Sequence, residues 1–349
     1  MKLVPALAVA LALCALSTAP LTAEAQAATQ AQPAASCSPA GDLSFVCGLI
    51  NVEDILPVEG GRWLVGGSFQ AGSAGLYLID TAAKTAKAAT VSIAAKPDAI
   101  YAECPGAPDL KKLTTHGLDV AEGRGGIATV WAINHGGRES VEVFRLNAAK
   151  GTAEWVGCVV LPEGTSGNSI VHLAKGAFAV TKFIDTRDKQ AFQHVMAGAI
   201  NGVVYLWTPG RGFSELPGTQ LSGDNGVVAS PDGKWLYVNA YGTREVYRVP
   251  LSGKGERSSV KVDFNPDNLR WAPDGKVFVT GQFINPKNPP GAHNGWATVR
   301  LDPRTMTTTP VVKEPGMAEF DNATSAVQVG NTLWFGTFRG DRVAYRPAP

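Results

Sequence analysis

The sequence predicts an all-β fold, a six-bladed β-propeller with four-stranded blades around a central channel. The first observation is a strand-turn-strand pattern in residues 224–251, where apolar or aromatic runs alternate with turns such as Pro231-Asp232-Gly233. The second is its recurrence around Pro273-Asp274-Gly275, because a repeat of about 40–50 residues is typical of propellers. The third is that six similar strand openings follow one another along the chain.

The six openings divide residues 50–345 into six predicted blades. They begin at or close to Asn51, Thr115, Gly167, Asp224, Asp267 and Asn322. We expect the ring to close through a strand near residues 43–46 that pairs with the last blade, which removes an exposed sheet edge. The third blade has a long insertion near residues 184–201. An eight-stranded barrel or a sandwich is the competing architecture, but neither explains the repeated opening motif.

The composition is that of a globular protein without a polyanionic partner. The chain has 349 residues, of which 45% are hydrophobic, and this is ample for a large core. Its formal net charge is +1, and it has no block of like charges. This charge pattern argues against nucleic acid as a partner.

The N-terminal residues predict export. Residues 1–25 have a positively charged start, a short apolar stretch and a small-residue cleavage site, which is typical of a secretory signal peptide. Residues 26–36 are rich in Ala, Gln and Pro and are expected to be an unstructured lead-in. The propeller is then one domain over residues 37–349. We expect a periplasmic or secreted protein without a membrane span.

Four cysteines remain after the predicted cleavage, and Cys14 lies within the signal. An even number in an exported protein suggests disulfides, for which three connectivities are possible. We favour Cys37–Cys47, a local loop at the N-terminus, and Cys104–Cys158, which ties a blade to the segment before it. Free buried thiols are the alternative.

Five of the six blade openings carry polar side chains that could meet in the channel. They are Glu53, His116, Asn168, Asn225, Asp267 and Asn268. Two carboxylates and three amide oxygens form a set of hard oxygen ligands that suits Ca²⁺. The set is poor for zinc, which prefers Cys and His. The alternative interpretation is that these are turn residues that hydrogen-bond their own backbone.

The ordered motifs resemble a known group of propellers. The matching motifs are Val52-Glu53-Asp54, His116-Gly117-Leu118, Asn134-His135-Gly136, Asn168-Ser169-Ile170, Asn225-Gly226-Val227 and Asp267-Asn268. Together they resemble the paraoxonase and arylesterase branch of the calcium-dependent six-bladed propellers. That superfamily also contains gluconolactonase, regucalcin and strictosidine-synthase-like proteins.

The resemblance implies a calcium-dependent hydrolase whose substrate is a small-molecule lactone or ester. The implied calcium ligands are Glu53, Asn168, Asn225, Asp267 and Asn268. His116 would be the base that activates water, with His135 behind it. In that family, the ion binds the carbonyl oxygen of the substrate, and activated water attacks the carbonyl carbon.

The sequence also departs from the family pattern. A second, structural calcium would use Asp54, the backbone of Leu118 and the residue after Asn168, but Ser169 stands there instead of an aspartate. Because Ser169 replaces this aspartate, a second calcium site is expected to be weak or missing. No cysteine follows Cys158, so the link between N- and C-terminal cysteines of paraoxonases is also absent.

Two other functions stay open at this point. One is a non-catalytic propeller that binds a protein or a small molecule, because a fold alone does not fix a function. The other keeps the metal site but carries out a non-hydrolytic reaction, as in the strictosidine-synthase-like branch. The chain has no Gly-x-Ser-x-Gly motif, which argues against a serine esterase. The sequence does not determine the oligomeric state.

Overall fold

Six β-sheets arranged in a ring confirm the predicted six-bladed propeller. The computed structural model describes residues 37–73, 75–285, 287–289 and 291–349. The inner strand of each sheet contacts the inner strand of the next sheet. The inner strand of the sixth sheet contacts that of the first sheet, so the inner strands close a ring. The predicted signal peptide (1–25) and lead-in (26–36) lie outside the described residues.

The strands follow the chain in blade order. Blade 1 and the segment before it contain β1 (Ser44–Cys47), β2 (Val52–Val58), β3 (Trp63–Ser68), β4 (Leu76–Asp80) and β5 (Thr85–Ala88). Blade 2 contains β6 (Thr90–Ile93), β7 (Thr115–Glu122), β8 (Ala128–Asn134), β9 (Ser140–Asn147) and β10 (Thr152–Val160). Blade 3 contains β11 (Thr165–His172), β12 (Phe178–Asp185), the helix α1 (Ala191–Met196), β13 (Val203–Thr208) and β14 (Gly212–Glu215).

The remaining blades complete the ring. Blade 4 contains β15 (Asp224–Ala229), β16 (Trp235–Ala240), β17 (Glu245–Pro250) and β18 (Ser258–Lys261). Blade 5 contains β19 (Asn265–Trp271), β20 (Val277–Gln282), β21 (Trp296–Asp302) and β22 (Thr307–Glu314). Blade 6 contains β23 (Ala323–Val329), β24 (Thr332–Thr337) and β25 (Arg342–Pro347).

The N-terminal strand closes the ring as the sequence predicts. Strand β1 pairs antiparallel with β25, with Ser44 opposite Tyr345 and Cys47 opposite Arg342. Blade 6 is therefore built from both ends of the described chain, in the order β1-β25-β24-β23. This pairing satisfies backbone groups of β25 that would otherwise form an open edge.

Blade 2 departs from the four-stranded expectation. Strand β6 adds to its outer edge in parallel with β10, with Thr90 opposite Thr152. The Cys104–Cys158 disulfide then ties the connecting segment to β10, and Cys37–Cys47 ties the N-terminal residues to β1. The sequence missed β6 because only four residues pair, and three of them are exposed, so their pattern is not that of a core strand.

The apolar core lies between neighbouring blades. One cluster joins side chains of blades 1 and 2, including Leu78, Phe144 and Trp155. Another joins blades 5 and 6 with the N-terminal strand and contains Trp296. Full burial of each such side chain contributes about 1.5–3 kcal/mol, so the blade faces hold the ring together.

All six inner strands carry a β-bulge. In each strand, one extra residue interrupts the pairing with the second strand of the blade. The interruptions lie between Val52 and Ile55, Thr115 and Leu118, Gly167 and Ile170, Asp224 and Val227, Pro266 and Leu269, and Ala323 and Ser325. A bulge re-aims the side chains within it. The five candidate calcium ligands and His116 all lie within these bulges, whereas His135 follows the end of β8.

Candidate metal centre

A cavity of about 640 Å³ opens at the end of the channel where the inner strands begin. Predicted site residues from five different blades line it. They are Glu53, His116, His135, Asn168, Asn225 and Asp267. Asn268 lies next to them, since its amide nitrogen donates a 2.6 Å hydrogen bond to Glu53 Oε1. The structure therefore brings together residues that are more than two hundred positions apart in the sequence.

Glycines in the bulges allow the inner strands to approach one another closely. A Cβ atom on Gly226 would lie 2.4 Å from the backbone oxygen of Asp267 in the next strand. A Cβ atom on Gly117 would lie 2.2 Å from the backbone oxygen of Asn168. Any larger residue would force these strands apart, because carbon atoms do not approach oxygen so closely. The glycines thus keep the ring of polar side chains narrow.

The five proposed ligands, Glu53, Asn168, Asn225, Asp267 and Asn268, together form an oxygen ring. This oxygen ring contains buried oxygen atoms without hydrogen-bond partners. All five proposed ligands are buried, with exposures between 1% for Glu53 and 6% for Asp267. Among the described residues, four of their oxygens have no partner: Glu53 Oε2, Asn168 Oδ1, Asn225 Oδ1 and Asn268 Oδ1. A buried polar atom without a partner is costly, so four of them in one ring form a set of oxygens that a cation could bind.

The donor chemistry fits a hard divalent cation. In the described part of the chain, no group of three His, Cys, Asp or Glu side chains could hold a metal ion. Any ion here would therefore depend on amide oxygens together with the carboxylates of Glu53 and Asp267. Ca²⁺ accepts such mixed oxygen ligands, whereas zinc does not favour them. Gln282 orients Asp267 through a 2.8 Å hydrogen bond from Nε2 to Oδ2.

Burial and electrostatic repulsion disfavour the ionised forms of the Glu53 and Asp267 carboxyl groups. Burial, followed by repulsion from Asp267 and Asp54, raises the pKa of Glu53 well above its ordinary value. Burial also raises the pKa of Asp267 to about 7. A bound cation would stabilise the ionised forms, so the metal-free ring holds protons that an ion would displace.

We expect the metal-free protein to lose stability as the pH rises from about 5 to about 8. In this window, Glu53 and Asp267 bind more protons in the folded state than in the unfolded state, because folding raises their pKa values. The lowered pKa of His116 acts in the opposite direction, but it is one group against two, so the free energy of unfolding falls with pH. A loss of at least about 1 kcal/mol is expected. Saturating calcium should abolish it. Urea unfolding at both pH values, with calcium or with chelator, measures the effect, and equal metal-free stabilities would contradict it.

His116 is held by a second histidine and a glutamate. His116 Nδ1 lies 2.9 Å from His135 Nε2, and His135 Nδ1 lies 2.8 Å from Glu139 Oε1. The Phe69 ring stacks on His116 at a centroid distance of 4.3 Å. If His135 donates its Nδ1 proton to the Glu139 carboxylate, its Nε2 accepts the Nδ1 proton of His116. His116 Nε2 then carries a lone pair.

This arrangement suits a general base. His116 Nε2 lies 3.7 Å from Glu53 Oε1, so the free nitrogen is next to the oxygen ring. Burial, followed by the neighbouring His135, lowers the pKa of His116 well below its ordinary value. His116 is therefore neutral at neutral pH and able to take a proton from water.

The sequence analysis did not identify two residues that position the site. Glu139 holds His135, and Gln282 holds Asp267. The signal for Glu139 was present, since it lies four positions after His135 across the turn between β8 and β9. Gln282 ends a strand in an unremarkable apolar run and gave no such signal. Asn134, at the end of β8, does not contribute to this chain of hydrogen bonds, since its Oδ1 accepts a 3.0 Å hydrogen bond from the backbone N–H of Thr114.

The predicted second calcium position at Asp54 is filled by a side chain. The guanidinium of Arg270 forms a buried ion pair with Asp54. The same nitrogen donates a 3.1 Å hydrogen bond to the backbone oxygen of Leu118. The residues around Asp54 therefore do not fit a second calcium ion.

The opposite end of the channel holds a second cavity, of about 750 Å³. Asp119 and His172 line it, with a distance of 2.6 Å between Asp119 Oδ2 and His172 Nδ1. His172 stacks on Trp131 at a centroid distance of 5.1 Å. Asp119 and His172 line this second cavity and not the first.

Comparisons with known proteins support the fold. No model of a known protein family matches the chain, and no curated protein matches its sequence. A gluconolactonase from Xanthomonas campestris matches in structure with a TM-score of 0.54 and 17% identity, over 88% of this chain and 89% of that one. A calcium-binding protein from Agrobacterium tumefaciens, regucalcin, matches with a TM-score of 0.52 and 11% identity, over 86% and 91% of the two chains.

A luciferin-regenerating enzyme also matches, with a TM-score of 0.56 and 11% identity, over 88% of this chain and 95% of that one. These similarities support the propeller fold that the sequence predicts. The paraoxonase branch stays a prediction. Within the described residues, no helix has the length and apolar character that a membrane crossing requires.

Proposed function

We propose that this protein is a calcium-dependent hydrolase of lactones or esters that acts in the periplasm or outside the cell. One observation carries the proposal: a single cavity contains both the buried oxygen ring and the His116 imidazole. The two disulfides favour an oxidising compartment, in agreement with the signal peptide predicted from the sequence. Glu53, Asn168, Asn225, Asp267 and Asn268 would hold the ion.

The protein's own residues account for proton movement. His116 Nε2 takes a proton from water, whose oxygen forms a bond with the acyl carbon while the acyl carbon–oxygen bond breaks. The proton then passes to the departing alkoxide. The Glu139 carboxylate and His135 keep His116 in the tautomer that this requires. A bound calcium would supply charge stabilisation for the carbonyl oxygen during this reaction.

The walls of the cavity favour apolar substituents on the substrate. Phe183 from β12, Phe192 from α1 and Tyr241 after β16 form an aromatic group, with Phe183 and Tyr241 centroids 5.6 Å apart. Ile284 and Phe338 extend this wall. Such side chains gain free energy from apolar groups and offer few hydrogen bonds to a polyol. We therefore propose aryl esters or lactones with an apolar side chain as substrates.

Phe192→Ala is expected to lower kcat/KM for an aryl ester or an alkyl-substituted lactone by roughly tenfold. An unsubstituted small lactone should be affected much less, because it does not reach the wall. Ile200→Ala is the matched control, since Ile200 lies in the same insertion, is 71% exposed and does not line the cavity. Equal losses for both substrates would contradict the assignment of this wall.

The proposed function is tested with purified protein on a panel of lactones and aryl esters. Hydrolysis is measured by acid release and by mass spectrometry of the products, with calcium or with a chelator. We expect calcium-dependent hydrolysis of the apolar members of the panel. Absence of hydrolysis across the panel would refute the proposal. Condensation products instead of acids would indicate a non-hydrolytic propeller.

A further inference from the structure

A buried ion pair lies in the channel beside the oxygen ring. The side chains of Asp54 and Arg270 are 0% and 6% exposed. Arg270 Nη2 contacts Asp54 Oδ2 and donates to the backbone oxygen of Leu118, and Nη1 donates a 2.7 Å hydrogen bond to the backbone oxygen of Leu269. Asp54 Oδ2 also accepts a 2.9 Å hydrogen bond from the backbone N–H of Leu118. The guanidinium thus connects strands β2, β7 and β19.

The charges around this pair match one divalent cation. Asp119, which also interacts electrostatically with Asp54, is paired with His172. Three other carboxylates are buried in this part of the channel, those of Glu53, Asp54 and Asp267. Glu53 interacts electrostatically with both other carboxylates and with Arg270. With Arg270 counted, the formal charge of the group is reduced from −3 to −2, which a single Ca²⁺ balances. Without Arg270, the same burial would require a further cation, because unpaired buried charges are strongly unfavourable.

We propose that Arg270 is an internal cation that takes the place of a second metal ion at Asp54, so that the folded protein binds one divalent cation and not two. The inference rests on the calcium site of the proposed function. Arg270 contacts a carboxylate oxygen and a backbone carbonyl oxygen, the groups that a calcium ion would use. The Ser169 hydroxyl is occupied elsewhere, since it accepts a 3.3 Å hydrogen bond from the Val227 N–H.

The consequence concerns the metal-free state. A guanidinium remains protonated throughout the physiological pH range. Its positive charge therefore stays in the channel, whereas a bound metal ion can dissociate. Asp54 is adjacent to Glu53, and Arg270 is two positions after Asn268. Arg270 therefore acts as a positioning residue that keeps two strands of the oxygen ring together before the calcium binds.

The test compares Arg270→Gln with Arg270→Lys and the wild type. We measure bound calcium per chain by calorimetry and elemental analysis, and the Tm with calcium or with chelator. The wild type should bind one ion. In chelator, the Tm of Arg270→Gln should be roughly 6–20 °C below that of the wild type. When calcium is added, this variant should bind a second ion, and its Tm should rise by several degrees more than that of the wild type. Arg270→Lys keeps the charge and should not take up a second ion.

The double variant Asp54→Asn/Arg270→Gln removes both charges. It provides a second measurement if Arg270→Gln alone does not fold. It should recover much of the lost Tm without calcium and bind one ion, because no uncompensated charge remains. A wild type that binds two ions would overturn the inference, as would an Arg270→Gln protein whose calcium content and calcium-dependent Tm equal those of the wild type. A protein that binds one ion but hydrolyses no substrate would refute the proposed function and leave this inference standing.

Discussion

Asp267→Asn is expected to lower hydrolysis by about 10²–10³-fold at a calcium concentration that saturates the wild type. The change keeps the shape of the side chain and removes one of two negative charges from the oxygen ring. Calcium affinity should fall by at least about tenfold, because a hard cation depends on carboxylate charge. Isothermal titration measures the affinity, and initial rates on the best lactone or ester measure the activity.

Asp119→Asn is the matched control for Asp267→Asn. Asp119 also lies on an inner strand, but it lines the cavity at the opposite end of the channel. The control should leave calcium affinity and activity close to those of the wild type. In Asp267→Asn, excess calcium should restore part of the activity, because the defect is in binding. An Asp267→Asn protein with unchanged affinity and activity would show that the oxygen ring is not the metal site.

His116→Gln is expected to lower kcat by about 10²–10⁴-fold, the usual contribution of a general base. Calcium affinity should change little, because His116 is not one of the proposed oxygen ligands. Glu139→Gln should cause a smaller loss, since it weakens only the orientation of His135 and His116. Steady-state rates and calcium titrations on the same preparations separate these effects.

The pH profile gives His116 a signature that a structural residue would lack. Burial and His135 lower its pKa, so the base form persists below pH 6.5, the ordinary value. In saturating calcium, which keeps Glu53 and Asp267 ionised, the wild-type rate should therefore decline only at a lower pH. His172→Gln is the control, because His172 lies at the other end of the channel. His116→Gln with full activity across this pH range would rule out His116 as the base and leave a carboxylate to activate the water.

Local signals in the sequence determined the architecture. Turn residues such as Pro231-Asp232-Gly233 recur at blade spacing, and glycine and proline fix such turns wherever they occur. The pairing of β1 with β25 also followed from the sequence, since a ring of sheets requires its last edge to be satisfied. The strand β6 did not follow, because its pairing with β10 depends on a long connection and the Cys104–Cys158 disulfide rather than on its own pattern.

The sequence by itself determined which residue types open each blade, and hence the candidate ligands Glu53, Asn168, Asn225 and Asp267. Only the tertiary structure decided that one β-bulge per inner strand brings these residues to a common cavity. It also decided that a guanidinium fills the position at Asp54. Local composition specifies strands and turns, whereas the meeting of side chains from different blades depends on the register and curvature of the closed ring, which no single stretch of sequence encodes.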